Sequence, residues 1–443
     1  MAPRPDPVPS DEQIPTRAGV VIVGGGIAGV STALELAERG IDVVLCEKGE
    51  IGAEQSSRNW GWCRQMGRDP REIPLIIESL KLWRRMNERV GAETGFRQCG
   101  ILYLSATDGD IAAKIDWLET HARPYQLDSR MISGEEADRL LPGATVKWKG
   151  ALYTHSDGRA EPVKAAPAIA RAARAKGAKV FTRCAVRGIE TAAGRVSGVV
   201  TEKGPIACDS VVLAGGAWSR RFCGNLDIHL PQLAVVNSVQ RTEPVETPLE
   251  SSTATLKFTF RKRYDGGYTV SHRHYSVADI VPDSFRLFGA FLPALKLDWD
   301  GLKLRFGRRF FDEARLARRW KLDEASPFEQ VRVLDPEPVD WILDEAFESL
   351  KATYPVFQGV RIAERWAGLI DATPDAVPVI SPVDRLPGFF LATGFSGHGF
   401  GLGPGAGRLM ADIVMGRTPI VDPEPFRYSR FIDGTRLVPM TGV

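Results

Sequence analysis

Three glycines at Gly24, Gly26 and Gly29, followed by an acid at Glu47, form the first grouping in the chain whose spacing implies chemistry. Gly24 suits a tight turn, Gly26 lets the backbone approach a pyrophosphate, and Gly29 lets a helix lie close on a strand. Backbone N–H groups at the helix start, those of Ile27 and Ala28 among them, attract phosphate oxygens. Glu47, 23 residues beyond Gly24, is placed to accept hydrogen bonds from ribose hydroxyls. The elements that must hold these groups can be read beside them. A β-branched run begins at Gly19, a helical pattern extends from Ala28 to Arg39 with Gly40 at its end, and a second apolar run covers Ile41–Cys46. Strand, turn, helix, strand and acid in that order within about thirty residues make a dinucleotide site. The motif alone does not say which dinucleotide.

Three further segments narrow it. Gly52-Ala-Glu-Gln-Ser-Ser-Arg-Asn-Trp-Gly61 is a small, polar loop just beyond Glu47 and Lys48, with Ser56, Ser57, Arg58 and Asn59 at its centre. Val211-Val-Leu-Ala-Gly-Gly-Ala-Trp-Ser219 is a short strand ending in glycines. Trp366–Ile380 and Leu391–Gly405 carry the TPD and GFSGHGF sequences. Together these resemble the D-amino-acid oxidase superfamily of FAD-dependent amine and amino-acid oxidoreductases, in the same order and over most of the chain. The resemblance implies FAD, with Lys48, the 56–59 loop, Val186, Gly215, Trp218 and Gly368 against it, and Gly397-His398-Gly399-Phe400-Gly401 at the flavin ring. It also implies two-electron oxidation of an amine or amino acid: hydride passes from substrate carbon to flavin N5, the imine is hydrolysed, and O2 or another acceptor takes the electrons. Reduced flavin is negative near N1, so His398 is read as a charge or hydrogen bond there, with loop bracing as the plainer alternative.

Two departures matter. Related sarcosine oxidases tether flavin through a cysteine where this chain has Gly368, so non-covalent FAD is expected. The same relatives hold the substrate carboxylate with a lysine where this chain has Gly401. A substitute anchor is therefore sought in Arg64, beside Asn59-Trp-Gly-Trp-Cys63, because guanidinium captures carboxylate in a planar, bidentate manner. Pairing of Arg64 with Asp69, and of Arg58 with a flavin phosphate, are the competing uses. Trp60 and Trp62 read as core or flavin-shielding residues before a substrate cage. Lys257 and Lys262 are candidates for the lysine that relatives use in the oxygen reaction, and a solvated basic face is the alternative for both. His272 and His274 form an HxH with no Glu or Cys partner in a metal pattern, so no metal is expected.

Composition sets the outer limits. With 443 residues, 57 Lys+Arg against 55 Asp+Glu and a net charge of +2, the chain has no global field for nucleic acid or an anionic membrane. The six cysteines are scattered without a CxxC, which favours a cytoplasmic setting over a disulfide framework. The expected fold class is α/β: a discontinuous Rossmann-type FAD domain plus an α+β substrate domain with a mixed, largely antiparallel sheet. The FAD domain is expected at 18–92, 159–228 and 361–443, and the substrate domain at 93–158 and 229–360. Residues 1–17 read as a disordered arm, Ala234–Arg241 and Gly267–Arg273 as strands, Asp298–Lys321 as an Arg-dense helix, and Ala406 onward as the last helix. A 2-hydroxy acid substrate, with His398 or His272 as base, and an FAD subunit of a hetero-oligomer are the alternatives; a homo-oligomer is compatible as well.

Overall fold

The computed structural model describes residues 3–440. Along the chain, β1 (Arg17–Val23), α1 (Ile27–Ala37), β2 (Val43–Cys46) and α2 (Ile73–Arg84) precede β3 (Ile101–Ser105) and α3 (Asp108–Trp117). Then come β4 (Lys179–Phe181), β5 (Gly204–Leu213), β6 (Leu233–Thr242), β7 (Ile362–Ala372), β8 (Phe389–Thr393) and α4 (Gly399–Val414).

The first sheet has eight strands, and its parallel core is ordered β8-β5-β1-β2-β4. Both faces of this core are covered, which is why β2 is an unbroken buried run without alternation. Helix α1 is buried along all eleven residues, between the sheet and α4. The glycines of α4 make that packing feasible. A Cβ at Gly407 would stand 2.5 Å from the Ser31 backbone, and one at Gly403 would stand 2.5 Å from Ile27. The parallel strands end together, so Gly24 after β1, Glu47 after β2 and Ala214 after β5 share one rim, the usual place for a ligand in an open α/β sheet.

The second sheet has ten strands and is mixed. At its centre β6 runs antiparallel to β7, from Leu233↔Ala372 to Thr242↔Ile362. A three-stranded ribbon of Trp62–Cys63, Gly158–Arg159 and Arg97–Gln98 bridges the two halves. The strands expected from alternation at 234–241 and 267–273 are present as β6 and Tyr268–Ser271.

Four expectations need correction. The span 361–443 does not belong wholly to the first sheet, because its opening strand, β7, is paired into the second. Residues 3–16 are not a disordered arm: Val8 is buried, Asp11 pairs with Arg174 at 2.7 Å, and its carboxylate accepts the Val180 N–H. Met1 and Ala2 lie outside the described residues. Segment 298–321 is not one helix. Leu302–Arg305 alternates with period two and pairs with Ser276–Asp279, and only Arg308–Arg315 is helical, after Gly307. The last helix starts at Gly399 and not at Ala406. Close contact with α1 outweighs the roughly 1 kcal/mol that each interior glycine costs a helix.

Candidate active site

At the shared strand rim lies a cleft with about 810 Å³ of space, lined by Gly24, Gly26, Glu47, Lys48, Ser56, Val186, Gly215, Trp218 and Asp371 among others. The three glycines shape its rim. Gly24 has φ +109°, and a Cβ there would lie 2.4 Å from the Ala214 carbonyl oxygen. A Cβ at Gly29 would lie 2.0 Å from the Gly24 oxygen, so that contact between helix and turn excludes any side chain. Gly26 faces open cleft apart from Ser56 Oγ, and Ser56 Oγ itself accepts the Ile27 N–H at 2.9 Å. Ala28 and Gly29 stand behind this edge, in the first turn of α1.

Glu47 is held more tightly than its sequence suggested. Its two oxygens accept the Gly25 and Gly49 N–H groups, each at 2.7 Å. Burial raises its pKa against the pull of Lys48 and those amides. Lys48 reaches over the Trp218 ring at 4.6 Å and pairs with Glu54 at 2.7 Å. Asp371, at the end of β7, is pushed up to about 6 by burial while accepting the Gly394 N–H at 2.7 Å. Gln55 Oε1 also borders the cleft and is buried with no hydrogen-bond partner among the described residues. A glycine-built turn, a helix N-terminus, a fixed acid and an orphaned acceptor suit a dinucleotide.

Other expected cofactor residues do not line this cleft. Arg58 is buried and committed: it pairs with Asp335 at 2.7 Å and donates to the Ala367 carbonyl at 3.0 Å. In the structure it ties the 56–59 loop to β7. Asn59 braces the same loop, donating to Gln55 and Ser56 carbonyls and accepting the Gly61 N–H, and Ser57 Oγ turns back to Glu54. Gly368 abuts Gln55, where a Cβ would lie 2.0 Å from Oε1. Gly397 has φ +86° at the turn into α4, beside Ile370. Gly399 packs on Phe395, and Phe400 lies 5.4 Å from the Trp83 ring. The Gly401 carbonyl accepts from Ser79 and Trp83.

A second grouping gathers around Tyr103 on β3. The Arg64 guanidinium carbon lies 6.0 Å from the Tyr103 ring centre and that of Arg273 lies 4.0 Å from it. Trp62 is stacked obliquely on the same ring at 6.2 Å, and Trp60 meets Trp62 edge-on at 5.4 Å. Arg64 does not pair with Asp69, which is taken by Arg71 at 2.6 Å; its own bond is to the Met66 carbonyl. Arg68, fully buried, donates to the Arg64 carbonyl at 3.0 Å and lies 3.4 Å from Glu72. Burial and then Arg64 bring Arg68 down to about 10. Glu72 in turn holds His398 Nδ1 at 2.9 Å. Burial works to raise Glu72, but His398, Arg68 and Arg64 together hold it below the usual carboxylate range. His398 is depressed by burial, with Glu72 opposing and Arg68 assisting.

Lys262 is not part of either grouping. It bonds to Glu250 in the loop before Ser252–Ala254, and Lys257 is exposed. Their neighbour Arg261 is the buried one, bonded to Glu161 at 2.7 Å. His272 is buried, and its Nδ1 accepts the His274 and Tyr275 N–H groups, so the HxH is a turn brace. Sequence reasoning missed Arg68, Glu72, Tyr103, Arg273 and Asp371. Only the i, i+4 spacing of Arg68 and Glu72 signalled a pair.

Comparison with known proteins agrees with this geometry. The family model described as "FAD dependent oxidoreductase" (DAO) matches residues 19–413. Glycine oxidase of Pseudomonas aeruginosa is 28% identical, over 92% of this chain and 97% of that protein. The structure of an L-amino acid deaminase from Proteus myxofaciens, in complex with anthranilate, superposes with a TM-score of 0.93 at 39% identity and covers 97% of each chain. That of L-proline dehydrogenase from P. horikoshii gives a TM-score of 0.77 at 25% identity, covering 95% of this chain and 99% of that one. Because that family model spans the glycine turn, the buried acid after β2 and the start of α4 in one continuous match, the chain belongs to the DAO family of FAD-dependent oxidoreductases.

Proposed function

We propose that this chain oxidises the C–N bond of an amine or amino acid whose carboxylate is held by Arg64 and Arg273. The single observation that carries the reading is the pair of guanidiniums on one aromatic ring, Tyr103, beside the His398–Glu72 pair at the start of α4. Guanidinium on carboxylate is short, bidentate and orienting. Bound FAD supplies the hydride acceptor, so the protein's task is to place the substrate carbon and to manage charge. Trp60 and Trp62 wall the space and exclude water. His398, neutral at neutral pH and oriented by Glu72, is the group that takes a proton from the substrate ammonium. Glycine oxidase, sarcosine dehydrogenase and L-amino acid deaminase among the relatives all act on such nitrogens by name.

FAD is held without a covalent bond at position 368, because a glycine there offers no thiol. Gly24–Gly29, Glu47, Ser56, Val186, Gly215 and Trp218 hold the dinucleotide, and Gly397–Gly401 the flavin ring. The FAD unit comprises 18–92, 159–228 and the part of 361–443 beyond β7. Electrons leave to O2 or to another acceptor, and Lys262 takes no part.

The test is anaerobic titration of the holoenzyme with amines, amino acids and 2-hydroxy acids, followed by admission of air. Bleaching by amino acids or amines is expected; no bleaching by any of them sinks the reading. Bleaching by 2-hydroxy acids alone would support the second reading, which the His398–Glu72 pair favours as a ready base. Colour that returns in air identifies O2 as acceptor, and colour that does not return points to a partner or quinone.

A further inference from the structure

Residues 282–319, which overlap the Arg-dense stretch, lie outside both groupings described above. Seven of the sixteen large apolar side chains exposed among the described residues fall between Phe285 and Phe311, and Phe285, Trp299 and Phe306 are 69%, 63% and 61% exposed. The helix Phe288–Leu297 has Lys296 as its only charge and buries none of its residues. Beyond it, Phe306, Phe310 and Phe311 meet one another with ring centres 5.2 to 5.9 Å apart. Apolar surface concentrated in this way marks a face that something else covers.

The same stretch is basic. It holds nine Arg and Lys against five Asp and Glu, a net +4 within a chain whose whole charge is +2. Its arginines also share their carboxylates. Asp283 pairs with Arg220 at 2.7 Å, Arg286 at 3.0 Å and Arg318 at 3.1 Å. Asp279 is divided between Arg305 and Arg309, and Glu313 between Arg221 and Arg309. Six guanidiniums thus rest on three carboxylates. Five of the six line a cleft with about 1450 Å³ of space, together with Asp283 and Glu313. Its remaining acid, Asp227, is held by Arg319. Against burial, Arg220 and then Arg286 and Arg318 bring the Asp283 carboxyl down to about 2. The cleft walls include the helices Pro282–Arg286 and Arg308–Arg315, which also present Phe285 and Phe311 to solvent.

We propose that residues 282–319 dock on an anionic lipid surface, with a headgroup phosphate seated in the arginine cleft and the exposed aromatic side chains in the interface beside it. Guanidinium takes phosphate in a bidentate manner, and aromatic rings favour the boundary between headgroup and acyl chain. Among the described residues no helix is long and apolar enough to cross a membrane, so the segment lies along the surface. A second copy of this chain is the poorer occupant, because it would bring one +4 segment against another.

Flotation of the holoenzyme with vesicles tests this. Phosphatidylcholine vesicles that contain phosphatidylglycerol are expected to carry about tenfold more protein than phosphatidylcholine alone, and high salt is expected to narrow that difference. Phe285→Ser with Phe311→Ser, and separately Arg286→Gln with Arg318→Gln, are each expected to lower binding about fivefold. All four side chains are exposed, so flavin absorbance and Tm should stay those of the wild type. Equal binding to both kinds of vesicle, or binding to neither, overturns the proposal. An arginine double variant that binds as wild type does removes the headgroup seat. Dimers that form in place of vesicle binding and vanish with the two phenylalanines would give the face to a second copy. A Tm raised by inorganic phosphate, without vesicle binding, would give the cleft to a free anion. Either result overturns the lipid reading.

Discussion

The dinucleotide cleft and the Tyr103 grouping are built by opposite means. The cleft is made of backbone: its decisive contacts are the absent Cβ atoms of Gly24 and Gly29 and the amides that fix Glu47. The Tyr103 grouping is made of long side chains brought from the chain that precedes α2, from β3, from the turn after Ser271 and from the start of α4. Backbone contacts tolerate almost no substitution, whereas a ring of side chains can exchange one cation for another and change what it binds. The cleft is therefore the more constrained of the two, and the Tyr103 grouping, in the function proposed above, is where substrate preference would be set.

The sharpest way to break that contrast is Gly29→Ala. A Cβ only 2.0 Å from the Gly24 oxygen forces helix and turn apart, and flavin content of the purified protein is expected to fall at least tenfold. An alanine variant that keeps its full yellow colour would show that the turn is not rigid.

A smaller effect is expected at Asp157, which supports the other region from below. Burial pushes this carboxyl up to about 7 although the Gln65 and Met66 amides oppose it. Its folded pKa is above the ordinary value of 3.8, so the native state binds more protons and stability falls as pH rises between about 4 and 7. Asp157→Asn should flatten that part of the Tm–pH curve, and in the same range wild type should lose stability that the variant keeps. Identical curves would place the proton elsewhere.

The smallest effect is set for Lys262→Met. Because this lysine pairs with Glu250 away from both regions, the rate of flavin reoxidation should change less than twofold. A loss of tenfold or more would restore it to the site.

The same contrast explains what could be read from the chain. Gly24, Gly26, Gly29 and Glu47 lie within one βαβ unit, and local spacing carries their geometry. Arg64 was legible as a cation beside tryptophans, but its partners Tyr103 and Arg273 are distant in sequence and join it only through the second sheet. Lys257 and Lys262 were the cations considered on this stretch of chain. Local sequence did not tell that Arg261, between them, is the buried one, because cations stand on both faces of this stretch. The α4 start was misplaced because glycines usually end helices, and these serve helix contact instead.

The packed residues 3–16 have a further consequence. Strand β4 is the last in its row and would offer a free edge. Asp11 closes part of it twice, giving its N–H to the Val180 carbonyl and taking the Val180 N–H on its carboxylate. Exposed edges of parallel sheets recruit strands from other molecules. The segment thus acts as a guard against edge-to-edge aggregation, and a shortened protein that starts at Arg17 would carry an intact cofactor cleft and a sticky flank.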